Sequence, residues 1–355
     1  MAKSRICGCD VGTMFFQVSE NREDSSINIT SIRNAFVELP ASEDVEQVLS
    51  TNEWQWIKDG KHYYVIGEDS LRVANMFPNK VDLRRPMQDG VLNKQEDKKM
   101  LVMAEIIKSA LGEAPDNKSI VCTCVSSPPV DGSVDSTFHR SRLLGMFERL
   151  GWQTKIIEEG HAVVLSERPV IIEKDEVGED VEVPYSGIGV SWGAGRTNCV
   201  MAYKGLQVLG MSVATGGDWV DQRVSDATGQ PIGQVTRQKE RDLDFDHLNE
   251  DDDVIFALGA YYGEMIKFVF ENFAKQFAKV KSQFEYPLDV IVAGGTSMPK
   301  GFCNKVKEVI SVLDLPFEIK DVKHSSDPRN SVVKGLLTQA MITKRRIDKG
   351  ESIEN

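Results

Sequence analysis

Three glycine-centred turns hold the residues best suited to chemistry. "CDVGT" (9–13) and "SWGAGRT" (191–197) each lie between two apolar, alternating runs, and "VIVAGGTSMPKGF" (290–302) is an apolar run that empties into Gly294, Gly295 and Thr296 before Pro299. A hairpin that bares its backbone N–H groups can wrap a phosphate. Two such turns from opposite sides would grip a polyphosphate. Asp10, at the end of its run, is placed to hold hydrated Mg2+, a hard cation that prefers oxygen ligands and retains waters. Thr13 could add a hydroxyl. The third turn would let a flat base or a ribose lie against bare backbone. Where the second hairpin would usually carry an acidic residue for the metal, this chain has Ser191. No GxxxxGK[ST] loop is present and no GxGxxG follows a first strand, which argues against a P-loop enzyme and a Rossmann dehydrogenase.

The elements that must position these turns are legible from periodicity. "RICGCDVGTMFFQVSE" reads as strand, glycine turn, strand, and "EWQWIKDGKHYYVIGED" as a hairpin turning at Asp59-Gly60. A helix is expected over 93–111, with Asn93 and Glu96 as a cap pair, and another over "DSTFHRSRLLGMFERLG", stopped by Gly151. "SIVCTCVSSPP" is a buried strand; "WQTKIIEEG" is a short strand leading into a helix with a turn at Pro169. The acidic segment 173–182 reads as a solvated connection. Two or three strands follow from Ser186, then a long helix over 252–281, and finally a strand, the third turn and a helix over 301–313. Strand pairs, helix, strand, helix are given twice. "DVGT" opens the first half as "SWGAGRT" opens the second. The expectation is an α/β fold of two lobes, each with a mixed sheet, facing one another across a cleft.

The bulk numbers agree with a folded two-lobed chain. It has 355 residues, 41% hydrophobic and 27% charged, with a formal charge of −12. That charge argues against a nucleic-acid partner held by general surface charge, but not against a nucleotide held by backbone and metal. The N-terminus is too short and polar for a signal peptide, no run approaches a membrane span, and no membrane anchor is evident. Six cysteines, several in apolar runs, suit a reducing cytosol, so a cytoplasmic location is expected. Cys7, Cys9, Cys122 and Cys124 read as small buried residues on two strands rather than a metal cluster.

The three motifs, in this order and at these distances, resemble the nucleotide motifs of the actin superfamily. Within it the resemblance is to the bacterial actin-like ATPases of the MreB and MamK branch. "IGEDSLRVAN…VDLRRPMQDGVL", "VSSPPVDGS", "GGDWVDQRV" and "DPRNSVVKGLL" are similar to further stretches of that branch, so that the likeness covers nearly the whole chain. It implies an actin-like fold with a nucleotide cleft, in which residues 1–157 and about 325–355 form lobe I, with a small subdomain near 31–80. Residues 158–324 would form lobe II, with a small subdomain near 222–284.

By matched position the resemblance places ATP or ADP with Mg2+ against Asp10, Gly12 and Thr13, then Gly193, Ala194, Gly195, Arg196 and Thr197, with Gly294, Gly295 and Thr296 lining the adenosine. Gly216 and Gly217 would border the nucleotide, and Lys239 and Glu240 of "RQKER" would bracket adenine, although the pattern by itself reads as a charged solvent face. Glu159 of "EEGHAVV" matches the water-orienting acid, with Gly160 in place of the family's Pro; His161 reads as ordinary packing. Ser191 in place of an Asp, and Arg196 in place of a small hydroxyl residue, imply slow hydrolysis or different metal contacts. The implied function is an ATP-binding protein that stacks head to tail on copies of itself into a filament, with an unidentified cargo or adaptor as a further partner. The alternative is a non-polymerising nucleotide switch. A sugar kinase would need a longer chain and another Asp base, and a chaperone ATPase would need room for a substrate domain after Leu337.

Overall fold

In this computed structural model, residues 3–22, 26–77, 81–167, 170–174, 177–280 and 287–353 are described. The first hairpin, β1 (Ile6–Val11) and β2 (Phe15–Asn21), is extended by β3 (Ile27–Arg33). A small sheet follows, of β4 (Phe36–Pro40), β5 (Trp56–Asp59) and β6 (His62–Ile66), with helices α1 (Glu43–Thr51) and α2 (Glu68–Met76). The β5–β6 turn is the expected one, with Gly60 at φ +59° and Trp56 packed edge-on to Tyr63 at 4.9 Å. A tight pair, β7 (Met87–Gln88) and β8 (Val91–Leu92), turns at Asp89-Gly90. Then come α3 (Lys99–Leu111), β9 (Ile120–Val125), α4 (Thr137–Arg149), β10 (Gln153–Glu158) and α5 (Glu159–Glu167).

Two readings of this half are corrected. Helix α3 begins at Lys99, six residues after Asn93, because Glu96 is drawn away from the cap. Its carboxylate, 5% exposed, takes a two-pronged ion pair from Arg84 at 2.8 and 2.7 Å. The segment 173–182 is not a plain connection either. Its residues 173–174 and 180–182 belong to an antiparallel pair, β11 (Val170–Lys174) and β12 (Asp180–Pro184); the turn placed at Pro169 falls outside the described residues.

The second half repeats the first. β13 (Gly187–Trp192), β14 (Thr197–Tyr203) and β15 (Leu206–Val213) are followed by α6 (Gly217–Thr228), α7 (Ile232–Arg241), α8 (Asp253–Phe277), β16 (Leu288–Ala293), α9 (Phe302–Ile310), β17 (Ile319–His324) and α10 (Ser331–Asp348). Asp252 caps α8 by accepting from Val254 and Ile255 N–H; the expected end at Lys281 lies outside the described residues. The first sheet runs β10-β9-β1-β2-β3 and the second β17-β16-β13-β14-β15. In each, the hairpin and its third strand are antiparallel and the two later strands parallel.

Helices α5 and α10 lie between the two sheets. Helix α10 packs on β1 and β9, α5 packs on β13 and β14, and the two helices pack on each other. Their apolar faces, with Ala162, Val164, Leu336 and Ala340, form one core shared by both sheets. Small residues set these distances: a Cβ on Gly335 would lie 1.8 Å from Ala162 O, and one on Gly189 2.2 Å from Gly160 O. Separate cores back the outer faces, with α3 and α4 on the first sheet and α6, α8 and α9 on the second.

Candidate nucleotide site

Repetition of the sheets puts the two glycine turns in equivalent places. Val11 pairs with Phe16 at the end of the first hairpin and Trp192 with Thr197 at the end of the second. Each turn is closed by the same bond, Gly12 N–H to Phe15 O and Gly193 N–H to Arg196 O, both 3.0 Å. The Gly12 and Gly193 amides are therefore spent on the turns. Among the described residues, the N–H groups of Thr13, Met14, Ala194 and Gly195 have no protein acceptor. These four are the donors that the turns offer an anion. Met14 was missed because donor capacity follows from which amide closes the turn, and no residue type signals that.

The second turn is braced from behind. Gly217 and Asp218, at the start of α6, donate to Gly193 O and Ala194 O at 3.0 and 2.8 Å, and Thr296 Oγ1 donates to Gly193 O at 2.9 Å. Thr197 Oγ1 donates to Thr215 O at 2.6 Å. Gly216, Gly217, Gly294, Gly295 and Thr296 are thus gathered with the second turn, while the two Thr hydroxyls support backbone. Lys239 sits beside Gly217 and is buried, with Nζ 2.8 Å from Asp221; it is no solvent-face residue, whereas Glu240 is exposed.

Asp10 and Glu159 lie near one another between the two turns, as their mutual charge effect shows. Burial pushes the Asp10 carboxyl up to about 6, opposed by a hydrogen bond from the Cys124 thiol at 3.5 Å. Burial, and then the nearby Asp10 charge, push Glu159 up to about 8, opposed by the Ser191 hydrogen bond and the Arg196 charge. Among the described residues neither carboxylate has an ion-pair partner. Ser191 Oγ donates to Glu159 Oε1 at 2.6 Å, and Asn198 Nδ2 to Oε2 at 2.9 Å. Two half-buried carboxyls near one another, each held from ionising mainly by desolvation, suit a divalent cation with oxygen ligands. His161 bonds the backbone of Gly205 instead of joining this pair, and burial holds its pKa below the usual value.

Arg196 turns its side chain away from the turn that carries it. Its guanidinium, 2% exposed, donates to Asp89 O at 2.8 Å, Ser212 Oγ at 2.9 Å and Val134 O at 3.1 Å. The Asp89-Gly90 turn in turn donates Gly90 N–H to Thr13 Oγ1 at 3.2 Å. The tips of the two glycine turns are thereby tied through β7–β8. The approach is close, since a Cβ on Gly195 would lie 2.9 Å from Gly90 N. The lobes are closed on one another at this point. Cavities of about 410 and 450 Å³ lie elsewhere, between α9 and β17 and beside the end of α10.

A family model described as Volactin matches residues 6–340. No curated protein matches the chain. Among solved structures it is similar to the MamK double helical filament, with TM-score 0.66 and 18% identity over 96% of this chain and 99% of that one. It is also similar to MreB 5 of Spiroplasma citri bound to AMPPNP, with TM-score 0.65 and 13% identity over 99% and 100% of the two chains. The same protein bound to ADP gives TM-score 0.65 and 14% identity over 98% and 99%. These likenesses show an α/β actin-like fold with two lobes and a cleft between them. No helix among the described residues is long and apolar enough to cross a membrane.

Proposed function

The chain belongs to the Volactin family, and from that premise we propose that it is an ATP-binding, actin-like cytoskeletal protein that polymerises and hydrolyses ATP slowly. The observation that carries this reading is the pairing of two equivalent glycine turns, with unspent amides, around the half-buried carboxyls of Asp10 and Glu159. Support for nucleotide and self-association comes from the similar structures, one described as a filament and another bound to AMPPNP and to ADP.

In this reading Asp10 would hold Mg2+. The metal, when bound, offsets negative charge on the phosphates. The amides of Thr13, Met14, Ala194 and Gly195 cradle phosphate oxygens. The backbone of Gly216, Gly217 and Gly294–Thr296, with Lys239 behind it, forms the nucleoside side. Glu159 orients the attacking water and accepts its proton. Lobe I, 1–157 with about 325–355, and lobe II, 158–324, close on the nucleotide about the α5–α10 crossing.

Sedimentation with Mg-ATP, Mg-ADP and no nucleotide, with phosphate release followed in the same tubes, tests this. Pelleting that requires ATP, with slow release, is the expected result. Ser191 in the metal-facing position favours one second reading, a nucleotide switch that does not polymerise; protein that binds ATP yet stays in the supernatant at high concentration would support it instead.

A further inference from the structure

Asn198 belongs to no glycine turn and is 1% exposed. Both ends of its amide are used. Oδ1 accepts Ser127 N–H at 3.1 Å, and Nδ2 donates to Glu159 Oε2 at 2.9 Å. The two bonds determine each other, because an amide must turn its oxygen to a donor and its NH2 to an acceptor. While Ser127 N–H holds the oxygen, the NH2 can only meet Glu159.

Ser127 follows β9 of the first sheet, whereas Asn198 and Ser191 are cross-strand partners in the second. The segment after β9 docks on β15 as an added stretch of ladder. Ser212 N–H donates to Pro128 O at 2.9 Å, Val130 N–H to Ser212 O at 3.1 Å, and Ser212 Oγ to Ser127 O at 2.6 Å. Arg196 reaches the same Ser212 hydroxyl. The Ser127 hydroxyl donates to Glu158, so one residue of the first lobe touches Glu158 directly and Glu159 through Asn198.

We infer that Asn198 is a positioning residue for hydrolysis: docking of the Ser127–Val130 segment sets its amide, and the amide aims the Glu159 carboxylate at the attacking water. The inference rests on the reading of the cleft as a nucleotide hydrolase. When the segment withdraws, Oδ1 loses its donor, the amide is free to turn, and Glu159 keeps only the Ser191 bond. Lobe closure and alignment of the acid thus become one event.

The test is steady-state phosphate release and equilibrium nucleotide binding for wild type, Asn198→Ala and Asn198→Asp, each checked for an unchanged circular dichroism spectrum. Asn198→Asp keeps an acceptor for Ser127 N–H but has no donor for Glu159, so it separates the two bonds. Both variants should lose about tenfold to a hundredfold in kcat, the scale of a misaligned reacting group, while KM and nucleotide affinity stay within about threefold. Wild-type kcat in Asn198→Asp, or a raised KM with kcat unchanged in either variant, overturns the inference. Wild-type protein that binds nucleotide but releases no phosphate overturns it while leaving the binding reading intact. Failure of the wild type to bind any nucleotide removes both.

Discussion

Asp10 and Ser191 occupy the same position in two sheets of the same topology. Each is two residues before its turn glycine, opposite Gln17 and Asn198 respectively in the hairpin ladder. The pseudo-repeat thus pairs a carboxylate with a hydroxyl, and the hydroxyl is committed to Glu159 at 2.6 Å. The neutral hydroxyl at 191 can lie this close to Glu159, whereas a carboxylate there would be a third acid beside Asp10 and Glu159.

Ser191→Ala therefore removes a donor from a half-buried carboxyl. The expected cost is about 1–3 kcal/mol of stability, read as a lower urea midpoint, together with slower phosphate release. Ser191→Asp should lower the melting temperature in EDTA and recover much of it in Mg-ATP. Equal melting of Ser191→Asp and wild type in EDTA would contradict this account.

The carboxyls of Asp10 and Glu159 predict a pH dependence with a definite sign. Both are raised in the folded state, from 3.8 to about 6 and from 4.5 to about 8. The folded protein keeps protons that the unfolded chain has released, so stability falls as pH rises. Their contribution is complete below 3.8 and 4.5 and is lost through about 6 and about 8. In metal-free protein the stability of Glu159→Gln relative to wild type should increase between pH 5 and pH 8. Thermal melts across that range check it; a constant difference would refute it.

Arg196 should govern how fast the cleft opens. Its bonds to Asp89 O and Val134 O cross between the lobes, and bonds to a charged donor contribute about 1.5–3 kcal/mol each. Arg196→Ala is expected to speed release of a fluorescent ATP analogue by about tenfold, since about 1.4 kcal/mol corresponds to that factor. A stopped-flow rate within twofold of wild type would show that the closed lobes are held by other contacts.

Gly160, the second residue of α5, is held as a glycine by packing. A Cβ there would meet Val200 N at 2.8 Å and Gly189 O at 2.9 Å, both backbone atoms with little room to yield. Gly160→Ala should cost about 1–3 kcal/mol by overpacking, and Gly160→Pro at least as much, in urea unfolding. Stabilisation by the Pro would mean that α5 can move away from the β13–β14 hairpin.

Much of the candidate site was legible because its parts are local. A glycine turn between two alternating runs is written in adjacent residues, so Gly12, Gly193 and Gly294–Thr296 could be located and the repeated halves recognised. Lys239 was harder, because "RQKER" looks solvated until Asp221 of α6 folds onto it. Helix α3 started late for the same kind of reason: Glu96 is claimed by Arg84, twelve residues earlier in the chain.

The sequence by itself determined the alternation of strands and helices and the three turns, since each depends on near neighbours and short-range periodicity; Asp10 stood out as the acid ending its strand, and Glu159 as a candidate only through the family resemblance. Only the tertiary structure decided which amides stay free, that Arg196 faces Asp89 and Val134 rather than its own turn, and that Asn198 bridges Ser127 and Glu159. Those outcomes depend on segments far apart in the chain meeting at 3 Å, and hydrogen-bond direction at that range is fixed by how the two sheets pack on α5 and α10.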